Sequence, residues 1–315
     1  MTGVLLLNMG GPDSTEAIRP FLYNLFSDRD IIRLGPAILQ KPIAWLISTM
    51  RSAHSEKMYA QIGGKSPLPL ITQEQAEALE AVLRSAGGGE SYRVYAGMSY
   101  WKPYIEDAVA RMADDGIKDI VALSLYPQYS AATTGSAMNK FRAAADALHI
   151  RYHCIEAWYD NPMYIGALAE KIRKGMDCFS EKPVVLFSAH SLPQKLIDEG
   201  DPYLEHTLRT IEALEEEIKL EWHLSFQSRS GPVKWLGLST EKMIEDLCEE
   251  GVKNLLVVPV SFVSDHIETL YEIDILYKGL ATKLGINLKR TESLNTSPAF
   301  IAALAGMVIR HKHIL

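Results

Sequence analysis

Three carboxylates and an imidazole are concentrated in one short stretch of the sequence. In residues 261–274, which read SFVSDHIETLYEID, Asp265, Glu268 and Glu272 lie three and four residues apart, and His266 lies beside them. On a helix this spacing places the carboxylates on one face. Asp265 and Glu268 also have the spacing of a capping box, which serves only to cap a helix. Because a cap does not require Glu272, the group is a candidate chemical site.

A histidine at the end of another apolar run is the second candidate. His190 follows the run 184–188, and a similar run, 255–260, precedes the acidic stretch. Such runs are typical of buried parallel strands. The carboxyl ends of parallel strands meet at one edge of a sheet, so His190 can face the three carboxylates. A lone histidine is often structural, but this position favours a functional role.

Strand-like and helix-like segments alternate along the sequence, which predicts βαβ units and parallel sheets. The runs predicted as strands cover residues 4–8, 93–97, 120–125, 152–156, 184–188, 223–227, 255–260 and 287–291. The segments predicted as helices cover residues 73–83, 103–114, 163–176, 202–219, 241–249 and 267–284. We therefore predict an α/β fold with two similar Rossmann-like domains. Each would hold a four-stranded parallel sheet flanked by helices, with the active-site cleft between the domains.

The two halves of this pattern define the expected domains. We predict a first domain over residues 1–150 and a second over residues 151–297, which would carry the histidine and the carboxylates. A final helix, 298–315, is expected to return to the first domain. Residues 34–50 form an apolar stretch that contains two prolines. It fits either a core helix or an exposed lip over a pocket or a membrane surface.

The composition is that of a globular protein, 47% hydrophobic and 23% charged, with a net charge of −7. The negative charge argues against nucleic acid as the main partner. Three cysteines without a C-x-x-C pair suit a reducing compartment. No basic leader follows Met1, and no apolar run reaches the roughly 20 residues of a membrane span. We expect a cytoplasmic protein with at most peripheral contact with the inner face of the membrane.

Several longer motifs resemble those of the ferrochelatase family, whose members insert Fe²⁺ into a porphyrin at the end of haem synthesis. The matching segments are LNMGGP (7–12), IGGKSPL (62–68), YPQYSAATTGS (126–136), LFSAHSLP (186–193), GDPY (200–203), WLG (235–237), VPVSFVSDHIETLYEID (258–274) and ESLN (292–295). They follow the family's order over nearly the whole chain, and several are long and specific. The resemblance implies two Rossmann-like domains, in agreement with the strand count.

The resemblance also implies roles for individual residues. His190 matches the active-site histidine of the family, and Glu268 matches the carboxylate opposite it. Asp265, His266 and Glu272 match an acidic path beside that carboxylate, so all five residues would contact the metal. The residues that match the lining of the porphyrin pocket are Met9, Tyr59, Ser66, Tyr126 and Trp235.

Two features of this chain depart from some relatives. Arg51 matches a basic residue near the propionates of the ring, but Met50 stands where many relatives have a second basic residue. Residues 34–50 match the apolar lip over the pocket mouth. Some relatives hold a [2Fe–2S] cluster through cysteines, whereas this chain has Ala131 at one such position and no cysteine after Cys248. We expect no cluster and no retained cofactor.

The resemblance implies protoporphyrin IX and ferrous iron as substrates, with release of two protons. A chelatase for coproporphyrin or another tetrapyrrole is an alternative, as is a non-catalytic haem or porphyrin carrier. His190 is the candidate proton acceptor, because a neutral imidazole can bind a proton near pH 7. Its alternative role, as the first ligand of the metal, stays open at this level.

Overall fold

Eight parallel strands form two separate sheets in the computed structural model, which describes residues 1–86 and 91–312. The strands of the first sheet are β1 (Thr2–Asn8), β2 (Tyr92–Met98), β3 (Asp119–Ser124) and β4 (Arg151–Ile155). The strands of the second sheet are β5 (Val184–His190), β6 (Trp222–Gln227), β7 (Asn254–Pro259) and β8 (Asn287–Arg290). All eight predicted strands and the predicted fold class are confirmed.

The two sheets share one topology. Their strand orders are β2-β1-β3-β4 and β6-β5-β7-β8. In each sheet the first strand of the chain, β1 or β5, lies at an inner position, with the second strand on one side of it and the third strand on the other. The direction in which strands are added therefore reverses between β1 and β3 and between β5 and β7. In open α/β sheets, ligands bind at this reversal, beyond the carboxyl ends of the strands. The topology therefore points to the ends of β5 and β7, where His190 and the acidic stretch lie.

Helices cover these sheets. In unit 1, comprising Met1–Trp158 and Asn295–Leu315, they are α1 (Ile18–Ser27), α2 (Gln40–Ala60), α3 (Leu68–Ala86), α4 (Ile105–Asp114), α5 (Ser136–Ala147) and α11 (Pro298–Lys312). In unit 2, comprising Tyr159–Leu294, they are α6 (Pro162–Met176), α7 (Gln194–Asp198), α8 (Tyr203–Glu217), α9 (Thr240–Glu249) and α10 (Lys278–Lys283). Among the described residues, no helix is both long and apolar enough to cross a membrane.

The division between the units falls after Trp158, later than the predicted boundary at residue 150. The physical reason is β4, which pairs with β3 in parallel register and so completes the first sheet. Unit 2 ends at Leu294, whereas the prediction extended the second domain to residue 297. Helix α11 packs against α3, β3 and β4 within unit 1. Residues 313–315 of the predicted final helix lie outside the described residues.

The segment predicted as one helix over residues 267–284 has two parts. Glu268–Tyr277 is a π-helix, and α10 continues from it. A π-helix is stabilised by i→i+5 hydrogen bonds, is wider than an α-helix, and occurs frequently at functional sites. Its inner residues Ile273 and Tyr277 are fully buried in the core of unit 2. Glu268 and Glu272 are therefore carried by a helix that packs into the core of unit 2, whereas Asp265 precedes this helix.

Most of the apolar stretch 34–50 is exposed, although Gln40, Ala44 and Ser48 are buried, so the stretch is not a core helix and its exposed part is called the lip below. Apolar side chains at the start of α2 and in the turn before it are exposed, namely Ile38 (84%), Leu39 (46%), Trp45 (54%), Leu46 (52%) and Met50 (72%). Gln40 is buried beneath them. Its amide nitrogen donates to the carbonyls of Phe26 and Ile32, each at 2.8 Å, and its oxygen accepts from the Leu34 N–H at 3.1 Å.

Gly237 tests the packing of unit 2 next to the site. Its φ is +63°, and a Cβ added there would lie 2.3 Å from the Phe226 ring on β6. Gly237→Ala places a Cβ on a backbone of positive φ and also pushes that Cβ into the Phe226 ring. We therefore expect a loss of about 2–4 kcal/mol in the free energy of unfolding. Urea denaturation measures it. Gly166→Ala on α6 is the matched control, because a Cβ there meets no atom within 4 Å; a comparable loss in both variants would contradict the prediction.

Candidate functional site

The carboxyl ends of β5 and β7 bring His190 and Glu268 into direct contact. Nδ1 of His190, the last residue of β5, lies 2.8 Å from Oε2 of Glu268, the first residue of the π-helix. The Glu268 side chain is 13% exposed and the His190 side chain 32%. The His190 carbonyl accepts a hydrogen bond from the Tyr203 hydroxyl at 2.9 Å, which fixes the strand end. The predicted pair therefore forms.

The electrostatics of this pair assign its protons. Burial opposes the charge of Glu268, but His190 next to it holds the pKa of the carboxyl well below its usual range. Burial likewise opposes the charge of His190, and Glu268 overcomes it, so the histidine pKa is raised. An ionised carboxylate can only accept hydrogen bonds, so Nδ1 carries the proton that Glu268 accepts. In the neutral imidazole, Nε2 then bears the free lone pair.

A second carboxyl, Glu272, lies one turn further along the π-helix. Its Oε2 lies 2.7 Å from the Ser228 hydroxyl, 3.3 Å from the Gln227 amide nitrogen and 3.4 Å from the Tyr277 hydroxyl. Burial, and then the negative charge of Glu268, raise the pKa of Glu272 to about 7. The two carboxyls thus have opposite proton affinities, a pattern that separates an ionised group from a proton-holding group.

His266 and Asp265 take different positions. Nε2 of His266 lies 4.0 Å from Oε1 of Glu268, and the ring packs against Phe262. Burial lowers the pKa of His266, so it is a neutral potential ligand. Asp265 instead forms an ion pair with Arg290 at 3.1 Å, and Arg290 also pairs with Asp274 at 2.8 Å. Arg290 was not among the predicted site residues, and it compensates the negative charge expected on the acidic path.

The pocket residues predicted in unit 1 lie mostly around its own strand ends. Met9 follows β1, and its carbonyl accepts from the Tyr100 N–H at 3.0 Å. Ser66 is buried, and a Cβ on Gly11 would lie 2.4 Å from its hydroxyl. Glycine at position 11 therefore lets this loop approach Ser66 closely. Tyr126 lies just beyond β3 and is half-buried.

Two further predicted residues of unit 1 lie on α2. Tyr59 is buried, and its carbonyl accepts from the Gly64 N–H at 2.8 Å. Arg51 is exposed and its guanidinium lies 5.5 Å from the centre of the Phe26 ring. This cation–π contact holds a positive charge next to the exposed Met50 of the lip.

Trp235 belongs to unit 2, in the loop between β6 and α9. The loop is tied to the segment after His190, since the Leu236 N–H donates to the Leu192 carbonyl at 2.9 Å and the Gln194 N–H to the Lys234 carbonyl at 2.8 Å. Arg229 braces the same loop through the carbonyls of Leu236 and Gly237. The backbone of Trp235 is therefore fixed relative to the strand that carries the histidine.

The geometry supports proton transfer and transient contact with a cation. Within the described residues, no three His, Cys, Asp or Glu side chains converge as a metal-binding group. The roles of Gln227 and Ser228 were not predicted, although Gln227 ends the predicted strand 223–227 and Ser228 follows it. The available signal was their position, since Gln227 ends β6 and Ser228 follows it; their neutral side chains gave no chemical signal.

Solved structures share this architecture. The sirohydrochlorin chelatase SirB from Bacillus subtilis subspecies spizizenii, in complex with cobalt, aligns with a TM-score of 0.57 at 12% identity, over 99% of this chain and 95% of that one. CbiX, the terminal enzyme for biosynthesis of sirohaem in denitrifying bacteria, aligns with a TM-score of 0.50 at 10% identity, over 100% and 99%. The fold is therefore the two-unit α/β fold of these chelatases.

The sequence comparisons are more specific. The family model described as Ferrochelatase matches residues 1–312. The ferrochelatase of Geotalea uraniireducens is 53% identical, over 99% of this chain and 98% of its own length. That of Aquifex aeolicus is 48% identical, over 97% and 98%. The chain belongs to the ferrochelatase family.

The raised pKa of Glu272 predicts a pH-dependent stability. The ordinary pKa of a glutamate is 4.5, and that of Glu272 in the folded protein is about 7. Between these two pH values the folded carboxyl binds more protons than the unfolded one, so the free energy of unfolding of the wild type falls as the pH rises. Glu272→Gln cannot titrate at this position, so the variant does not lose this stability as the pH rises. From pH 5 to pH 8, its stability relative to wild type should increase by about 2–3 kcal/mol in urea denaturation. The exposed Glu249→Gln serves as control; the same pH trend in both variants would refute the assignment.

Proposed function

We propose that this chain inserts Fe²⁺ into protoporphyrin IX and releases two protons, the last step of haem synthesis. The observation that carries the proposal is the contact between His190 and Glu268 at the winding reversal of unit 2, with Glu272 one turn away. Membership of the ferrochelatase family supports the reaction class. Metal insertion requires removal of two pyrrole protons and of the water bound to the cation, and these groups fit both tasks.

His190 accepts a pyrrole proton at Nε2. Glu268 supports this role because its ionised carboxylate accepts from Nδ1 and stabilises the imidazolium that forms. Because Glu268 raises the pKa of His190, the neutral imidazole binds a proton more tightly than a free imidazole does. The same free lone pair would suit the alternative role as first metal ligand.

Glu268, Glu272 and the neutral His266 attract the incoming Fe²⁺ and replace part of its water. Oxygen and imidazole ligands suit a divalent first-row cation. Asp265 contributes less attraction than the sequence suggests, since Arg290 compensates its charge. The group binds a metal in transit, as expected for a substrate.

The residues proposed to contact the porphyrin are, within unit 1, Met9, Tyr59, Ser66 and Tyr126, and, within unit 2, Trp235. Arg51 is the proposed partner of a propionate. Rigid walls can hold the ring bent, a strain of roughly 1–5 kcal/mol supplied by binding. The buried Ser66 and the tied loop of Trp235 support such rigidity.

The activity is tested by adding anaerobic Fe²⁺, or Zn²⁺ as surrogate, to protein and protoporphyrin IX and following the loss of the free-base spectrum. We expect turnover by wild type and a loss of at least about 100-fold in kcat for His190→Ala, because the proton acceptor is removed. His223→Ala, at the start of β6, is the control. If the wild type does not insert metal into the porphyrin, the proposed function is wrong.

Two further measurements identify the porphyrin substrate and the role of His190. Rates on porphyrins with two and with four carboxylate side chains distinguish protoporphyrin from coproporphyrin as substrate. Metal affinity of His190→Ala separates the two roles of the histidine. If metal binding is lost while the ring is still deprotonated, His190 is the metal ligand rather than the base.

The exposed lip supports peripheral contact with a lipid surface. Five apolar side chains with exposed fractions of 46–84% lie together along α2 and the turn before it. Arg19 of α1 stacks on the Trp45 ring of α2 at 5.4 Å, and Arg51 of α2 stacks on the Phe26 ring of α1 at 5.5 Å. Apolar side chains flanked by cations suit an interface with acidic lipids.

Liposome flotation tests this contact. Wild type should float with vesicles that contain acidic lipid, whereas Ile38→Ser with Trp45→Ser should reduce the bound fraction at least tenfold, since each buried side chain contributes about 1.5–3 kcal/mol. Leu148→Ser is matched, because Leu148 is an exposed leucine (46%) on another part of unit 1. Equal flotation of all three proteins would exclude the lip as the contact.

A further inference from the structure

The carboxyl end of β6, which is Gln227, and the next residue, Ser228, connect the sheet of unit 2 to the carboxyl pair. Gln227, fully buried, accepts from the Ser188 hydroxyl at 2.6 Å through its side-chain oxygen. Its amide nitrogen donates to the Glu268 carbonyl at 3.1 Å and to Oε2 of Glu272 at 3.3 Å. Ser188 lies inside β5, two residues before His190. The buried side-chain amide of Gln227 therefore links β5, which carries His190, to the π-helix, which carries Glu268 and Glu272.

Ser228 extends this connection from a strained backbone position. Its φ is +66°, in the left-handed region. A non-glycine residue is strained there, and such strain is common at functional sites. The conformation directs the hydroxyl toward the π-helix, so that it lies 2.7 Å from Oε2 of Glu268 and 2.7 Å from Oε2 of Glu272.

The contacted oxygen of Glu268 is also the one that faces His190, at 2.8 Å from Nδ1. Ser228 thus fixes the position of the very atom that orients the imidazole. It also keeps two carboxyl groups next to each other in a partly buried setting, where the negative charge of both at once is unfavourable. Without a shared hydroxyl, repulsion between the carboxyls favours their separation.

We propose that Ser228 is a positioning residue of metal insertion, whose hydroxyl holds Glu268 and Glu272 together as one cation-attracting pair beside His190. This inference rests on the proposed function. The hydroxyl acts through the carboxyls and does not itself contact the substrate. Outer partners of metal-contacting carboxylates commonly set affinity for the metal.

Two variants separate the hydroxyl from the backbone strain. Ser228→Ala removes the oxygen and keeps a Cβ at positive φ, whereas Ser228→Gly removes the oxygen and relieves the strain. We expect the KM for Zn²⁺ to rise about ten- to hundredfold in both variants, with the KM for protoporphyrin IX unchanged. Ser228→Gly should nevertheless have the higher melting temperature of the two.

Ser239→Ala is the comparison for a purely structural loss. Its hydroxyl caps α9 by accepting from the Lys242 N–H at 3.2 Å. This variant should melt a few degrees lower and keep the wild-type KM for Zn²⁺.

The outcomes are distinguishable. A KM for Zn²⁺ within twofold of wild type in either Ser228 variant would overturn the positioning role. The role would also be overturned if the KM for Zn²⁺ correlated with the melting temperature across Ser228→Ala, Ser228→Gly and Ser239→Ala. If wild type itself inserts no metal, the proposed function fails, and that result is visible before any variant is compared.

Discussion

The site depends on keeping two carboxyls and an imidazole together where water is largely excluded. Like charges in such a setting repel, and each loses hydration. Two contacts offset this: Glu268 accepts a hydrogen bond from the protonated Nδ1 of His190, and the Ser228 hydroxyl lies within hydrogen-bond distance of both Glu268 and Glu272. Opposite proton affinities of the two carboxyls follow from the same crowding. Acid–base chemistry and attraction of a cation therefore arise from a single constraint.

The fold supplies this constraint through its winding. Because β5 and β7 are neighbours in the sheet, the histidine that ends one strand meets the helix that follows the other. β6 lies on the other side of β5 and contributes the turn with Gln227 and Ser228. Three consecutive strand ends thus converge on one group, and the buried core beneath them resists displacement.

The sequence predicts the strands well, because fully buried parallel strands are continuous apolar runs with clear ends. It also predicts His190 and Glu268, whose types and positions carry chemistry. It does not predict the π-helix, since i→i+5 hydrogen bonding depends on how Ile273 and Tyr277 pack. Nor does it predict the pairing of Asp265 with Arg290, residues 25 positions apart that meet only through the fold.

Gln40 gives the lip a property that exposure alone would not. Its side chain closes the loop before α2 by bonding to the backbone of Phe26, Ile32 and Leu34. A loop tied in this way keeps its shape before anything covers it. Association with a lipid surface or a planar ring would then require little loss of backbone conformational entropy, so the apolar area that is covered translates more fully into affinity.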